Sequence, residues 1–305
     1  MTVLRGLEGW PAGPLHIALG VFDGVHEGHR ALVVHLVRAA RIGAARAICV
    51  TFDPLPEVGL GHQDRAGCAL TTVAERERLL HGAGADDVAV LTFDAPFAAQ
   101  SAARFIGSLC EAGQVRHVLV GHGFRFGSGR DGDAETLAAA GRQRGFEVSV
   151  LDPVTVDEDT VSSTRIRDAL RAGDLATAER LLGRPYSAGG TVAHGEQRGR
   201  ALGYPTINVG TPLEKLLPRD GIYACWVDIG GARHAAATSL GTRPTFGPGP
   251  RTLECHLLDY SGDLYGATVA VTFAKRLRDE QKYPDVASLK AQIARDVEET
   301  RAALG

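Results

Sequence analysis

The strongest constraint in the sequence is a change of hydrophobic rhythm near residues 183–187. Before it, short β-branched or apolar runs at 16–22, 47–52, 88–93, 117–121 and 146–151 alternate with helical patterns at 28–42, 73–82, 96–111 and 133–144. Strand-helix alternation at this spacing predicts a parallel sheet covered on both faces, with ligands at the carboxyl ends of its strands. Two further helices are expected, one opening at Ser163 and carrying Ile166 and Leu170, the other running from Asp174 through Leu182. Gly183-Arg184-Pro185 then ends the helical pattern. After Tyr186 the chain reads as short strands (192–194, 222–229, 233–239, 253–260 and 269–273) separated by turn clusters, which predicts a small antiparallel barrel or sandwich. Leu289, Ile293 and Val297 recur at helical spacing in a closing helix over 286–303. The expected architecture is an α/β, Rossmann-like domain over 1–184 followed by a small antiparallel β-barrel domain over 185–305 with a C-terminal helix.

With 305 residues, 44% of them hydrophobic, the chain has enough apolar material for two ordinary cores. Arg38, Arg41 and Arg46 interrupt the Ala/Val-rich region after Val33, so no membrane span is expected, and no export signal is visible near residue 1; a cytoplasmic protein is the expectation. A net charge of -3 offers no broad basic field for a nucleic-acid backbone, so no nucleic-acid partner is expected. The five cysteines (Cys49, Cys68, Cys110, Cys225 and Cys255) form no CxxC pair, so each reads as a small buried hydrophobe rather than a zinc ligand or disulfide partner. Lysine is scarcer still: Lys215 is the first, and only Lys275, Lys282 and Lys290 follow. A P-loop with its lysine is thereby excluded from the first domain.

The sharpest local signal is GVFDGVHEGH at 20–29, where the first strand gives way to the first helix. That position aims backbone amides and a positive helix end at an anion. His26 and His29, three apart with Gly28 between them, form an HxGH pattern whose imidazoles can donate hydrogen bonds to phosphates as charge builds on a transferring group. Gly20, Phe22, Asp23 and Gly24 complete the loop, and the glycines allow close approach of a phosphate. A second helix start, with Ser162, Ser163 and Arg167, supplies hydroxyls and a cation able to hold an outgoing diphosphate in place of lysine.

In the second domain a glycine- and arginine-rich loop, with Gly195 and Gly203, leads into Pro205-Thr206-Ile207-Asn208. A threonine hydroxyl and an asparagine carbonyl are hard oxygen donors suited to a Mg²⁺ ion bridging ATP. Around Glu254 the strand alternation puts Leu253, Cys255 and Leu257 on one face, so Glu254 and His256 share the other.

These motifs, together with TFDPLP (51–56), LTTVAERERLL (70–80), FRFGSGRDGD (124–133) and SSTRIRDALRAGDLATAERLLGRPY (162–186), resemble the prokaryotic bifunctional riboflavin kinase/FAD synthetases in order and spacing over nearly the whole chain. The resemblance implies an HxGH nucleotidyltransferase domain that adenylylates FMN with ATP, and a riboflavin kinase barrel that makes FMN. His26 and His29 would stabilise phosphates; Gly20, Phe22, Asp23, Gly24, Gly28, Ser162, Ser163 and Arg167 would bind ATP. Phe52, Phe124, Arg125 and Phe126 would form the flavin side. In the barrel, Gly195, Gly203, Thr206 and Asn208 would bind ATP and Mg²⁺, and Glu254 would be the catalytic base. Arg243, Thr245, Arg276 and Arg278 would bind substrate. Riboflavin, FMN and ATP would be the small-molecule substrates, with FMN and FAD the products. Leu55 stands where the family pattern has histidine, and Gly123 where it has Asp or Asn. Both changes remove a polar group, which leaves open a monofunctional riboflavin kinase whose first domain has lost or altered its specificity.

Overall fold

The computed structural model describes all residues except 1, 62, 196–198, 200–201 and 243–250. By internal packing it divides into two compact units, 1–163 and 164–305.

The first unit is a six-stranded, wholly parallel sheet. Its strands are β1 (Thr2–Arg5), β2 (Pro14–Leu19), β3 (Arg46–Asp53), β4 (Asp87–Thr92), β5 (Gln114–Gly121) and β6 (Glu147–Leu151), in the order β1-β4-β3-β2-β5-β6. Alternation sorts their side chains into two cores. Ile17, Ile48 and Val50 pack on one face with Phe105, Leu109 and Leu137, whereas Ala18, Ala47 and Cys49 pack on the other with Val33, Leu36 and Leu80. Both faces being covered explains why these strands read as unbroken apolar runs. Helix α1 (Glu27–Ile42) follows β2, while α2 (Pro56–Gly59) and α3 (Val73–Gly82) follow β3.

The expected helix over 96–111 is two helices, α4 (Ala95–Ala98) and α5 (Ala102–Ala112). Each has its own N-cap: Asp94 accepts from the Phe97 amide and Ser101 from that of Arg104, so the chain restarts the helix instead of continuing it. Helix α6 (Ala134–Arg144) precedes β6. The strand β1 is absent from the sequence expectation, since four residues at a sheet edge carry little periodicity. A short hairpin, β7 (Thr155–Val156) with β8 (Asp159–Thr160), closes the unit.

Helix α7 (Ser163–Ala172) starts at the last residue of the first unit and runs on into the second, where α8 (Leu175–Leu182) follows it before the barrel. Helix α8 ends as its sequence dictates: Gly183 takes φ +69° and its amide donates to Glu179 O at 2.8 Å. A closed antiparallel barrel follows, in the order β10-β13-β12-β11-β14-β9. Its strands are β9 (Ser187–Ala193), β10 (Ile207–Gly210), β11 (Gly221–Ile229), β12 (Ala232–Gly241), β13 (Thr252–Leu257) and β14 (Thr268–Arg278). Tyr223, Cys225, Val227, Ala236, Leu253, Cys255, Val271 and Phe273 are buried. Burial pushes the Cys255 thiol up to about 12 and that of Cys225 well above the usual range, so both behave as the small hydrophobes expected. The C-terminal helix (Val286–Leu304) packs against β11, β12 and β14.

Candidate active sites

In the first unit β2 is the strand from which the chain moves outward in both directions, to β3 on one side and β5 on the other. A crevice opens at the carboxyl ends of such a pair. Residues 20–25 leave β2 there by an unusual path: Phe22, Gly24 and Val25 all have positive φ, at +54°, +85° and +40°. For Phe and especially for β-branched Val this is strained backbone, and the surroundings must enforce it. Asp23, 1% exposed, is the anchor. Its carboxylate accepts from the Leu70 and Thr71 amides, each at 3.0 Å, and from Thr71 Oγ1 at 3.2 Å. Thr71 Oγ1 in turn accepts from the Gly24 amide at 3.0 Å. Immediately afterwards Thr72 and Glu75 form a capping box that starts α3.

His26 caps α1, its Nδ1 accepting from the His29 amide at 3.2 Å, and the two imidazoles stack with centroids 3.6 Å apart and planes 14° from parallel. That hydrogen bond fixes the neutral His26 tautomer with its proton on Nε2. His29 packs edge-on against Phe22 at 5.2 Å. Burial, His26 and Arg76 together hold His29 well below the ordinary histidine range, so it is neutral at pH 7. The glycine between the histidines has a job the sequence did not indicate: a Cβ at Gly28 would lie 3.2 Å from the His26 ring, so the absent side chain gives room to the stack. Gly20 likewise clears the Phe22 ring.

Ser163 joins this loop, its Oγ donating to Asp23 O at 2.8 Å. Ser162 precedes it in the chain, and Arg167 is buried on α7 in the second unit. Phe52, Phe124 and Phe126 belong to one aromatic run. Phe52 meets Phe93 and Phe97, Phe97 meets Phe105, Phe105 meets Phe126, and Phe126 stacks on Phe124, with centroids 5.4–5.8 Å apart. Phe93, Phe97 and Phe105 are not singled out by the sequence; Phe93 and Phe97 follow the end of β4 by one and five residues, whereas Phe105 lies within α5. Arg125 is exposed and pairs with Asp133 at 3.0 Å, which fastens the 124–133 turn to the cap of α6.

The two departures have physical explanations. Gly123 sits at φ +72°, the left-handed region that Gly, Asn and Asp share, so glycine keeps the backbone while dropping the polar group. Leu55 is buried with Cys68 and Ala69 against Val21 and Val58, an apolar substitute in an apolar cluster. His122 is exposed and its amide donates to Leu151 O at 2.8 Å.

In the barrel, β10 and β13 place Asn208 directly opposite Glu254, and Asn208 also faces Ala193 on β9. Cross-strand partners project to the same side of the sheet, so the amide and the carboxylate share one face. The burial alternation of β13 matches the expectation, with Leu253, Cys255 and Leu257 inward. Thr252 Oγ1 donates to Glu254 Oε1 at 3.2 Å. His256 Nδ1 lies 2.8 Å from Pro205 O and its ring meets Tyr204 edge-on, which ties the turn carrying Thr206 to β13. Gly195 is required for packing: a Cβ there would collide with the Asn208 side chain. Gly203 takes φ +88° in the turn.

Arg276 donates to Asp220 O at 2.7 Å and pairs with Asp279. Arg278 forms a bidentate pair with Asp296 of the C-terminal helix at 2.7 and 2.6 Å. Its fork is committed to that helix, so any effect on substrate acts through the strand. Arg243 and Thr245 lie outside the described residues.

A parallel sheet with stacked imidazoles at a helix start, joined in one chain to a closed barrel that pairs Asn208 with Glu254, fits a two-module phosphate-transfer protein. An FAD synthetase family model matches residues 12–165 and a riboflavin kinase family model matches residues 182–304. The chain is 39% identical over 302 residues to the bifunctional riboflavin kinase/FMN adenylyltransferase of Escherichia coli (strain K12), spanning 97% of this chain and 96% of that one. It is 38% identical over 309 residues to the protein of the same description from Pseudomonas fluorescens, spanning 99% and 97%. A crystal structure from Streptococcus pneumoniae described as a macrolide-efflux protein superposes with TM-score 0.87 at 31% identity over 98% of each chain. Among the described residues of the present chain, no helix is long and apolar enough to cross a membrane. The chain belongs to the bifunctional riboflavin kinase/FMN adenylyltransferase family. Matching both halves favours the bifunctional reading over a kinase with a silent first domain.

Proposed function

We propose that the chain converts riboflavin and ATP to FMN and ADP, and FMN and a second ATP to FAD and diphosphate. Residues 1–184 carry the adenylyl transfer and 185–305 the kinase step. The observation that supports the reading is that each unit brings together a candidate set of groups for phosphate chemistry: the stacked His26/His29 pair on a loop stapled through Asp23, and Asn208 opposite Glu254.

In the kinase step Glu254 accepts the proton of the riboflavin 5′-hydroxyl as that oxygen bonds to the γ-phosphorus of ATP and the bond to ADP breaks. Thr206 and Asn208 offer one hydroxyl and one amide oxygen, a hard donor set that fits Mg²⁺ bound with the nucleotide, and the seat of Asn208 against Gly195 holds its amide in place. Bound there, the ion would neutralise phosphate charge. In the adenylyl step an FMN phosphate oxygen bonds to the α-phosphorus of ATP and diphosphate leaves. The positive end of α1 and the imidazole N–H groups of His26 and His29 stabilise the charge that develops. Ser162 and Ser163 take the diphosphate side, and the aromatic run from Phe52 to Phe124 takes the flavin side. A cytoplasmic location fits both substrates.

Incubation with riboflavin, ATP and Mg²⁺, followed by chromatographic separation of flavins, tests the proposal. FMN should appear first and FAD after it. FMN accumulating without FAD would support the monofunctional alternative, and unchanged riboflavin would overturn both.

A further inference from the structure

A cation lies buried behind the histidine loop. Arg76, 2% exposed, precedes buried Leu80 by one helical turn on α3 and therefore faces inward. Its Nη1 donates to Thr51 Oγ1 at 2.9 Å and to Phe52 O at 2.8 Å, at the carboxyl end of β3. Thr51 Oγ1 donates onward to Val21 O at 2.7 Å, inside the loop that delivers His26 and His29. The segment that leads into α3 grips the same loop a second time, through Leu70 and Thr71 on Asp23. Arg76 Nε is buried without a hydrogen-bond partner. Burying a guanidinium with an unmet donor is unfavourable, and a neutral side chain of similar volume would pack there at lower cost. Its presence points to a task that needs the reach of Nη1 and the charge.

We propose that Arg76 is a positioning residue for adenylyl transfer: through Thr51 it holds the loop at Val21 in its strained path, and it sets a fixed positive charge behind the two imidazoles. The proposal rests on the adenylyltransferase reading of the first unit. His29 is lowered by burial, by His26 on its own helix and by Arg76 from α3, while Asp23, Asp53 and Glu77 are the carboxylates that face Arg76. Two functions are therefore separable. Arg76→Lys keeps the charge and loses the longer reach of Nη1; Arg76→Met loses both.

The test uses the full chain and follows FAD formation from supplied FMN across pH, with riboflavin phosphorylation in the same preparation as the internal control. Arg76→Lys should lower kcat for FAD formation about 10- to 100-fold, the scale of a misplaced catalytic group, with KM for FMN and the acid limb of the pH profile unchanged. Arg76→Met should lower kcat and also move the acid limb to higher pH, because His29 is then protonated more easily. Thr51→Val, which breaks the relay while leaving Arg76 in place, should reproduce the Arg76→Lys loss, and Thr51→Ser should restore activity. Should Arg76→Met fail to fold, the Thr51 pair decides alone. Wild-type FAD kinetics in Arg76→Met, or equal activity in Thr51→Val and Thr51→Ser, would overturn the proposal. Absence of FAD from the wild-type chain would instead overturn the adenylyltransferase reading.

Discussion

His26 and His29 are bound to one another as well as to their helix. A second positive charge on rings 3.6 Å apart is costly, and burial adds to that cost at His29. His16 and His117, edge to face at 5.3 Å across β2 and β5, are also lowered by burial. In the unfolded chain His16, His29 and His117 take up protons near the ordinary histidine value of about 6.5, whereas in the folded chain they do so only at lower pH. The unfolded state then binds more protons below about 6.5, so stability is complete above that value and falls as pH drops through it. The melting temperature should decline between pH 7.5 and 5.5 on the order of degrees, with a shallower decline in His29→Asn; an unchanged slope would remove His29 from this account. At this scale the HxGH pair was legible because its spacing is local. Arg76 was not, since one arginine in an Ala-Glu-Arg-Glu-Arg run looks like a solvated face until the sheet beneath it is in place.

Helices and strands were legible where both neighbours were strongly patterned. The alternation of Ile17 with Ala18 and of Ile48 with Cys49 already describes a sheet with two cores. The amino half of β9 was not legible, because Ser-Ala-Gly-Gly has no period; Gly190 is there for close approach, since a Cβ on it would run into Gly210 O on β10. The C-terminal helix was expected on its Leu289/Ile293/Val297 stripe, yet its most buried residues are polar, Asp296 and Thr300. Asp296 receives the Arg278 fork and Gln292 Nε2 at 2.9 Å, so the helix is fastened to β14 by a nearly buried ion pair. Removing one partner leaves the other uncompensated. Asp296→Ala should cost about 3–5 kcal/mol, read as a lower midpoint in urea unfolding. A midpoint equal to wild type would make the pair ornamental.

Across the whole chain, the scarcity of lysine excludes P-loop chemistry from the first unit, and the proposed function gives that role to the paired imidazoles of His26 and His29. In the second unit the proposed function gives it to hard oxygen donors and a carboxylate, with Asn208 and Glu254 paired across two barrel strands. In the proposed function two phosphate reactions run at two sites, the product of one being the substrate of the other. The most direct measurement crosses the sites: Glu254→Ala and His29→Asn, each assayed separately for FMN from riboflavin and for FAD from supplied FMN. The account predicts that Glu254→Ala makes no FMN but retains wild-type FAD formation, and that His29→Asn does the reverse, losing about 10²-fold or more in FAD formation. Loss of both reactions in either folded variant would contradict it.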